Sequence, residues 1–104
     1  MTAEELVKRF LESEEEYDFD IFREFDLEEL GLDWVGSHEY IDETTDEDEF
    51  VSKIFTTVKF PDHNLIIQEI KTYEDNELTE TIYCTAKEKV ITQTIYVADE
   101  EIKI

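Results

Sequence analysis

The run Asp42-Glu43-Thr44-Thr45-Asp46-Glu47-Asp48-Glu49 places six carboxylates in eight residues. Carboxylates at alternate positions are oxygen ligands for hard cations, so calcium is the first chemistry to test. An EF-hand loop requires glycine at its sixth position and a bidentate glutamate at its twelfth. Counted from Asp42, those positions hold Glu47 and Lys53, and the motif fails. What remains is a dense anionic array that takes up cations weakly or pairs with basic side chains. A second array, Glu14, Glu15, Glu16, Asp18 and Asp20, interleaves with Tyr17, Phe19, Phe22 and Phe25. Four rings in so short a segment exceed what it buries by itself, so one or two are expected at the surface.

Catalytic chemistry is poorly supplied. His38 and His63 are the only histidines, and neither has a serine or cysteine at a motif spacing. Cys84, the single cysteine, sits in an apolar alternation and reads as a small buried hydrophobe. Clusters of His and Cys with metal-ligand spacing are missing. Among 30 acids, any pair suited to glycosidase chemistry arises by chance. With Gly31 and Gly36 as the only glycines, no phosphate-cradling loop exists. The expectation is a protein without enzymatic activity, cofactor or bound metal.

The elements that must hold these arrays start from the charge. The chain has 104 residues, 30 acidic against 9 basic, and a net charge of −21. Residues 1–49 carry 20 acids and three bases, residues 50–104 ten acids and six bases, so the excess belongs to the first half. Such a charge repels nucleic-acid phosphates and anionic lipid, which argues against direct binding to either. Disorder requires few aromatic and β-branched residues, and this chain is rich in both. One unpaired cysteine, no long apolar run and an N-terminus without a leader pattern point to the reducing cytoplasm.

Thr2 and Glu5 form a capping-box pattern ahead of Leu6, Val7, Phe10 and Leu11, predicting a helix from about Ala3 to Ser13. Asp26 and Glu29 repeat the signal before Gly31, predicting a short helix over Leu27 to Leu30. The stretch from 14 to 25 stays open between helix, loop and strand. Strands are expected over Trp34–Ile41, Phe50–Phe60, Leu65–Tyr73, Leu78–Thr85 and Val90–Val97. Turns are expected at Pro61–Asn64, Glu74–Glu77 and Lys87–Lys89, with Asp42–Glu49 as a loop. Short connections favour antiparallel pairing. The expected fold is a single α+β domain: an acidic helical segment over 1–33, with one or two helices, packed on a four- or five-stranded antiparallel meander over 34–104.

Solubility asks for a net charge of only ~2–8 on a small domain, and self-repulsion destabilises a compact chain. The excess therefore needs another cause. Adaptation to high salt is disfavoured by seven lysines against two arginines. A basic partner supplies the cause, because duplex DNA carries one charge per ~3.4 Å on each strand and these acids approach that density.

In size, charge, lack of disulfides and lack of catalytic groups the whole chain resembles the small acidic phage-encoded inhibitors that mimic DNA, the anti-restriction and anti-CRISPR class. The resemblance rests on composition and on the runs Glu14–Asp20 and Asp42–Glu49. It implies occupation of a basic groove on a host nuclease, such as a Cas effector with its guide RNA, whose arginines read the PAM. The implied contacts are Asp42, Glu43, Asp46, Glu47, Asp48 and Glu49, with Glu14, Glu15, Glu16, Asp18 and Asp20. On this reading, reversing Asp46, Glu47 and Asp48 weakens binding far more than reversing Glu74, Asp75 and Glu77. Two alternatives remain open: an immunity protein that neutralises a basic nuclease toxin, and an acidic protein that binds calcium or other cations.

Overall fold

The computed structural model describes residues 1–13, 17–90 and 94–104. Its first element, α1 (Ala3–Leu11), starts as the capping box requires: the Glu5 amide donates to Thr2 Oγ1 and the Thr2 amide donates to Glu5 Oε1, each at 3.1 Å. Leu6, Val7 and Phe10 form its buried stripe. A single further turn, α2 (Ile21–Glu24), lies within the stretch that periodicity left open, while Glu14–Glu16 fall outside the described residues.

Five strands follow: β1 (Glu39–Glu47), β2 (Val51–Phe60), β3 (Leu65–Glu74), β4 (Glu77–Val90) and β5 (Thr94–Glu101). They pair antiparallel in chain order, so the α+β meander is as expected and β1 and β5 are its edges. A 3-10 turn over Pro61–His63, closed by Asn64 at φ 55°, connects β2 to β3. Asp75 and Asn76, at φ 51° and 67°, connect β3 to β4 in the tight turn whose twist suits a hairpin.

Five local expectations are corrected. Residues Leu27–Leu30 form a hydrogen-bonded turn instead of a helix, because Asp26 Oδ1 accepts from the Glu28 amide at 3.0 Å and bends the chain immediately. The stretch Trp34–Ile41 is split: Asp33–Val35 is a 3-10 turn, and β1 starts only at Glu39. Gly36 at φ 74° makes the break, and Asp62 holds it by accepting from the Ser37 amide at 2.8 Å. Lys87–Lys89, expected as a turn, continue β4, where Lys87 stands opposite Val97 and pairs with Asp99 at 3.1 Å. Val90–Val97, expected as one strand, is accordingly divided, Val90 ending β4 opposite Thr94 of β5. Most of Asp42–Glu49 is strand: Asp42–Glu47 belong to β1, and the loop is confined to the tip.

The helical segment packs on one sheet face. Ladder partners share a face, which puts Val58 beside Ile67 and Thr56 beside Glu69, with Glu69 in turn beside Tyr83. Leu6, Val7, Phe10, Phe19, Phe22, Val58, Phe60, Ile67 and Tyr83 form one buried cluster. Phe19 is its hub, with ring centroids 5.3 Å from Phe10, Phe22 and Tyr83 and 6.0 Å from Phe60. Of the four interleaved aromatics, Phe25 is exposed and Phe19 and Phe22 are buried. The opposite face buries Thr57, Gln68, Ile70 and Cys84, with Gln68 Nε2 donating to Thr57 Oγ1 at 3.1 Å. Among the described residues no helix is long and apolar enough to cross a membrane.

Candidate functional site: an acidic hairpin end

β1 forms despite its composition because β2 supplies what the acids lack. Asp46 lies opposite Lys53 and Glu39 opposite Lys59, and Thr44 and Thr45 add β-branched residues at the centre. The ladder of main-chain bonds to β2 holds the strand, and each opposite charge facing across it adds roughly 0.2–1 kcal/mol. The result is an extended strip. Asp42–Glu47, six residues at ~3.3 Å each, span roughly 20 Å, about one carboxylate per 5 Å of strand.

The tip closes on itself. The Asp48 amide donates to the Val51 carbonyl at 2.8 Å and the Glu49 amide to Asp48 Oδ1 at 2.7 Å. Phe50 is 68% exposed there, with carboxylates preceding it in the chain. Across the sheet, Val51 stands opposite Glu74, Glu74 opposite Glu77, and the Asp75 amide donates to the Phe50 carbonyl at 3.3 Å. The two hairpin ends are therefore one surface, holding Asp46–Glu49 together with Glu74, Asp75 and Glu77 and an exposed phenylalanine. Sequence reasoning had set these two groups of acids apart. Among the described residues, none of Asp42, Glu43, Asp46, Glu47, Asp48 and Glu49 makes an ion pair within 4 Å.

The N-terminal run is divided differently. Asp18 pairs with Lys71 and accepts from the Asp20 amide at 3.1 Å, so its half-exposed carboxylate is already engaged within the chain. Asp20 is exposed, and Glu14, Glu15 and Glu16 lie outside the described residues. Asp20 approaches β1, since its charge acts on the Tyr40 phenol together with those of Glu43 and Asp42.

A carboxylate that sequence reasoning passed over lies at the centre of the fold. Glu69 is 2% exposed. Its two oxygens accept from the Phe19 amide at 3.2 and 3.1 Å, Oε2 also accepts from Tyr83 Oη at 2.9 Å, and Lys71 Nζ is 3.9 Å from Oε1. Burial pushes its pKa up to about 7, against the Tyr83 hydrogen bond and the Lys71 charge, which favour ionisation. Burial and then the Glu69 charge push the Tyr83 phenol well up. The available signal was an acid on the same face as Leu65 and Ile67 in an alternating strand, where polar residues are rare unless bonded. Its arrangement is structural: it fixes the Phe19 main chain to the sheet.

Tyr40, on β1, places its hydroxyl in the interior with no hydrogen-bond partner among the described residues. Burial, followed by the charges of Glu43 and Asp20, pushes this phenol up to about 12. An open groove of about 620 Å³ is lined by Leu11, Lys71, Leu78, Tyr83 and Ile104, of which Leu11, Leu78 and Ile104 are exposed. Among the described residues no group of three or more His, Cys, Asp or Glu side chains is arranged to hold a metal ion. Compared with family models, curated proteins and solved structures, the chain gives no match.

Proposed function

We propose that this protein is an acidic inhibitor that occupies the positively charged nucleic-acid-binding groove of a host defence nuclease, in the manner of an anti-CRISPR that imitates DNA. The observation that carries the reading is the ordered end of the sheet, where the acidic tips of two hairpins meet and Phe50 is exposed. Arg and Lys of a groove pair with the carboxylates, bidentately for Arg, and the ring supplies an apolar anchor of the kind that dominates interfaces. Opposed fields accelerate encounter and make association sensitive to salt. No bond need be made or broken: a Cas effector, alone or with its guide RNA, loses access to target DNA because the site is filled.

The test is a cleavage and target-binding assay on a panel of RNA-guided and other basic nucleases. The expected result is inhibition of at least one nuclease, overcome by excess target DNA and weakened by added salt. Indifference of every nuclease, or inhibition unaffected by DNA concentration, would overturn the reading.

A further inference from the structure

The outer edge of β1 carries more than charge. β2 lies on one side of it and, among the described residues, no strand lies on the other. Asp42 to Glu47 are all exposed, and among the described residues no main-chain group outside β2 bonds to them. The Asp48–Val51 bond sets the phase of the ladder. Alternation then turns the N–H and C=O of Asp42, Thr44 and Asp46 toward β2, and those of Glu43, Thr45 and Glu47 outward. Three residues thus present unpaired donors and acceptors in a row.

Open edges invite pairing, and proteins blunt them with lysine, proline or a covering element. β1 contains neither lysine nor proline. It contains Glu39, Asp42, Glu43, Asp46 and Glu47, with no base among its nine residues. Two copies paired edge to edge would set carboxylates against carboxylates, which is destabilising. β5 is no better a mate, since Asp99, Glu100 and Glu101 end it. The strand excludes its own kind and suits a cationic one.

We propose that β1 accepts an extended arginine- or lysine-rich segment of a protein partner as a sixth strand of the sheet. Main-chain bonds to Glu43, Thr45 and Glu47 hold the segment, and its basic side chains meet Glu43 and Glu47 on one face and Asp42 and Asp46 on the other. The inference rests on reading the acidic surface as a ligand for a basic protein, and deepens it by naming the mode of contact.

The test uses the full chain and two synthetic peptides of about ten residues, alternating Arg and Val. They carry equal charge, but every backbone amide of one is N-methylated and cannot donate. Calorimetry at ~0.15 M salt limits diffuse attraction. The unmethylated peptide is expected to bind at least about tenfold more tightly, and to slow amide exchange at Glu43, Thr45 and Glu47. Thr45→Pro, which removes an outward N–H without a change of charge, lowers that affinity about tenfold with an unchanged circular dichroism spectrum. Equal binding of the two peptides, or no protection at these three amides, would sink the inference. A chain that inhibits a nuclease yet treats the peptides alike keeps the proposed function and loses the sixth strand. A chain that discriminates between the peptides and inhibits nothing does the reverse.

Discussion

The main-chain amide of Asp75 donates to the carbonyl of Phe50 at 3.3 Å, tying the β3–β4 turn to the tip of the β1–β2 hairpin. Residues 25 positions apart in the chain therefore share one end of the sheet. The acids of the two turns lie within one another's field, and a basic partner reaching one group reaches the other.

Charge reversal tests that adjacency. The sequence alone favoured Asp46, Glu47 and Asp48 over Glu74, Asp75 and Glu77, but the bond between Asp75 and Phe50 puts both groups on one surface. Replacing either group by lysine should therefore lower affinity for an inhibited nuclease by about tenfold or more, through faster dissociation and slower steered association. The same change at Glu28 and Glu29, in the turn after α2, should leave affinity within about twofold. Calorimetry on the three variants decides. A loss from the first group alone would separate the two turns functionally, against the bond that joins them.

Glu69 makes stability depend on pH in a direction opposite to that of an ordinary salt-bridged carboxylate. Its folded pKa is raised to about 7 from the ordinary 4.5 of a glutamate, so the native state binds the extra proton. Its contribution is fully present below pH ~4.5 and is lost as pH rises through ~7. Glu69→Gln keeps an oxygen acceptor for the Phe19 amide and cannot ionise. Relative to this variant, the parent should lose roughly 3 kcal/mol between pH ~4.5 and ~8, as followed by urea unfolding. A constant difference across that range would show that Glu69 titrates normally.

Gly36 sits at φ 74° and ψ −144°, a region that side chains avoid, and a Cβ there would lie 2.3 Å from Asp62 Oδ2. Gly36→Ala should cost about 2–4 kcal/mol, from backbone strain plus loss of the Asp62 bond to the Ser37 amide. Asp62→Ala in the same chain should recover only the clash, so the two substitutions are less than additive in thermal unfolding. Full additivity would mean that the carboxylate yields freely.

Tyr40 offers the converse case. Its hydroxyl lies buried without a hydrogen-bond partner among the described residues, so Tyr40→Phe removes a desolvation cost and none of the bonds they make. Stability should stay level or rise by up to about 1 kcal/mol. A loss greater than that, measured by denaturant unfolding, would reveal a bond made by the phenol.

Elements with strong local signals were legible. The capping box at Thr2 and Glu5, the alternation of Phe50–Phe60 and the turn at Pro61–Asn64 depend on neighbours a few residues away, and they fold as read. Local signals with two outcomes misled. Asp26 caps a helix in one context and closes a turn in another, and its bond to the Glu28 amide selects the turn. Asp42–Glu47 have poor strand propensity, yet a continuous ladder with β2, in which Lys53 faces Asp46, makes them strand.

By itself the sequence determined the extreme charge, its concentration in the first half, the capped helix and the antiparallel meander, since composition and short-range periodicity suffice for these. Only the tertiary structure decided which acids stand together and which are internal. Strand lengths and register brought Asp75 to Phe50, and contacts across 50 residues enclosed Glu69 around the Phe19 amide while Lys71 took Asp18. A charge is written in the chain at one position, but its surroundings are assembled from segments that meet only when the sheet closes over its helix.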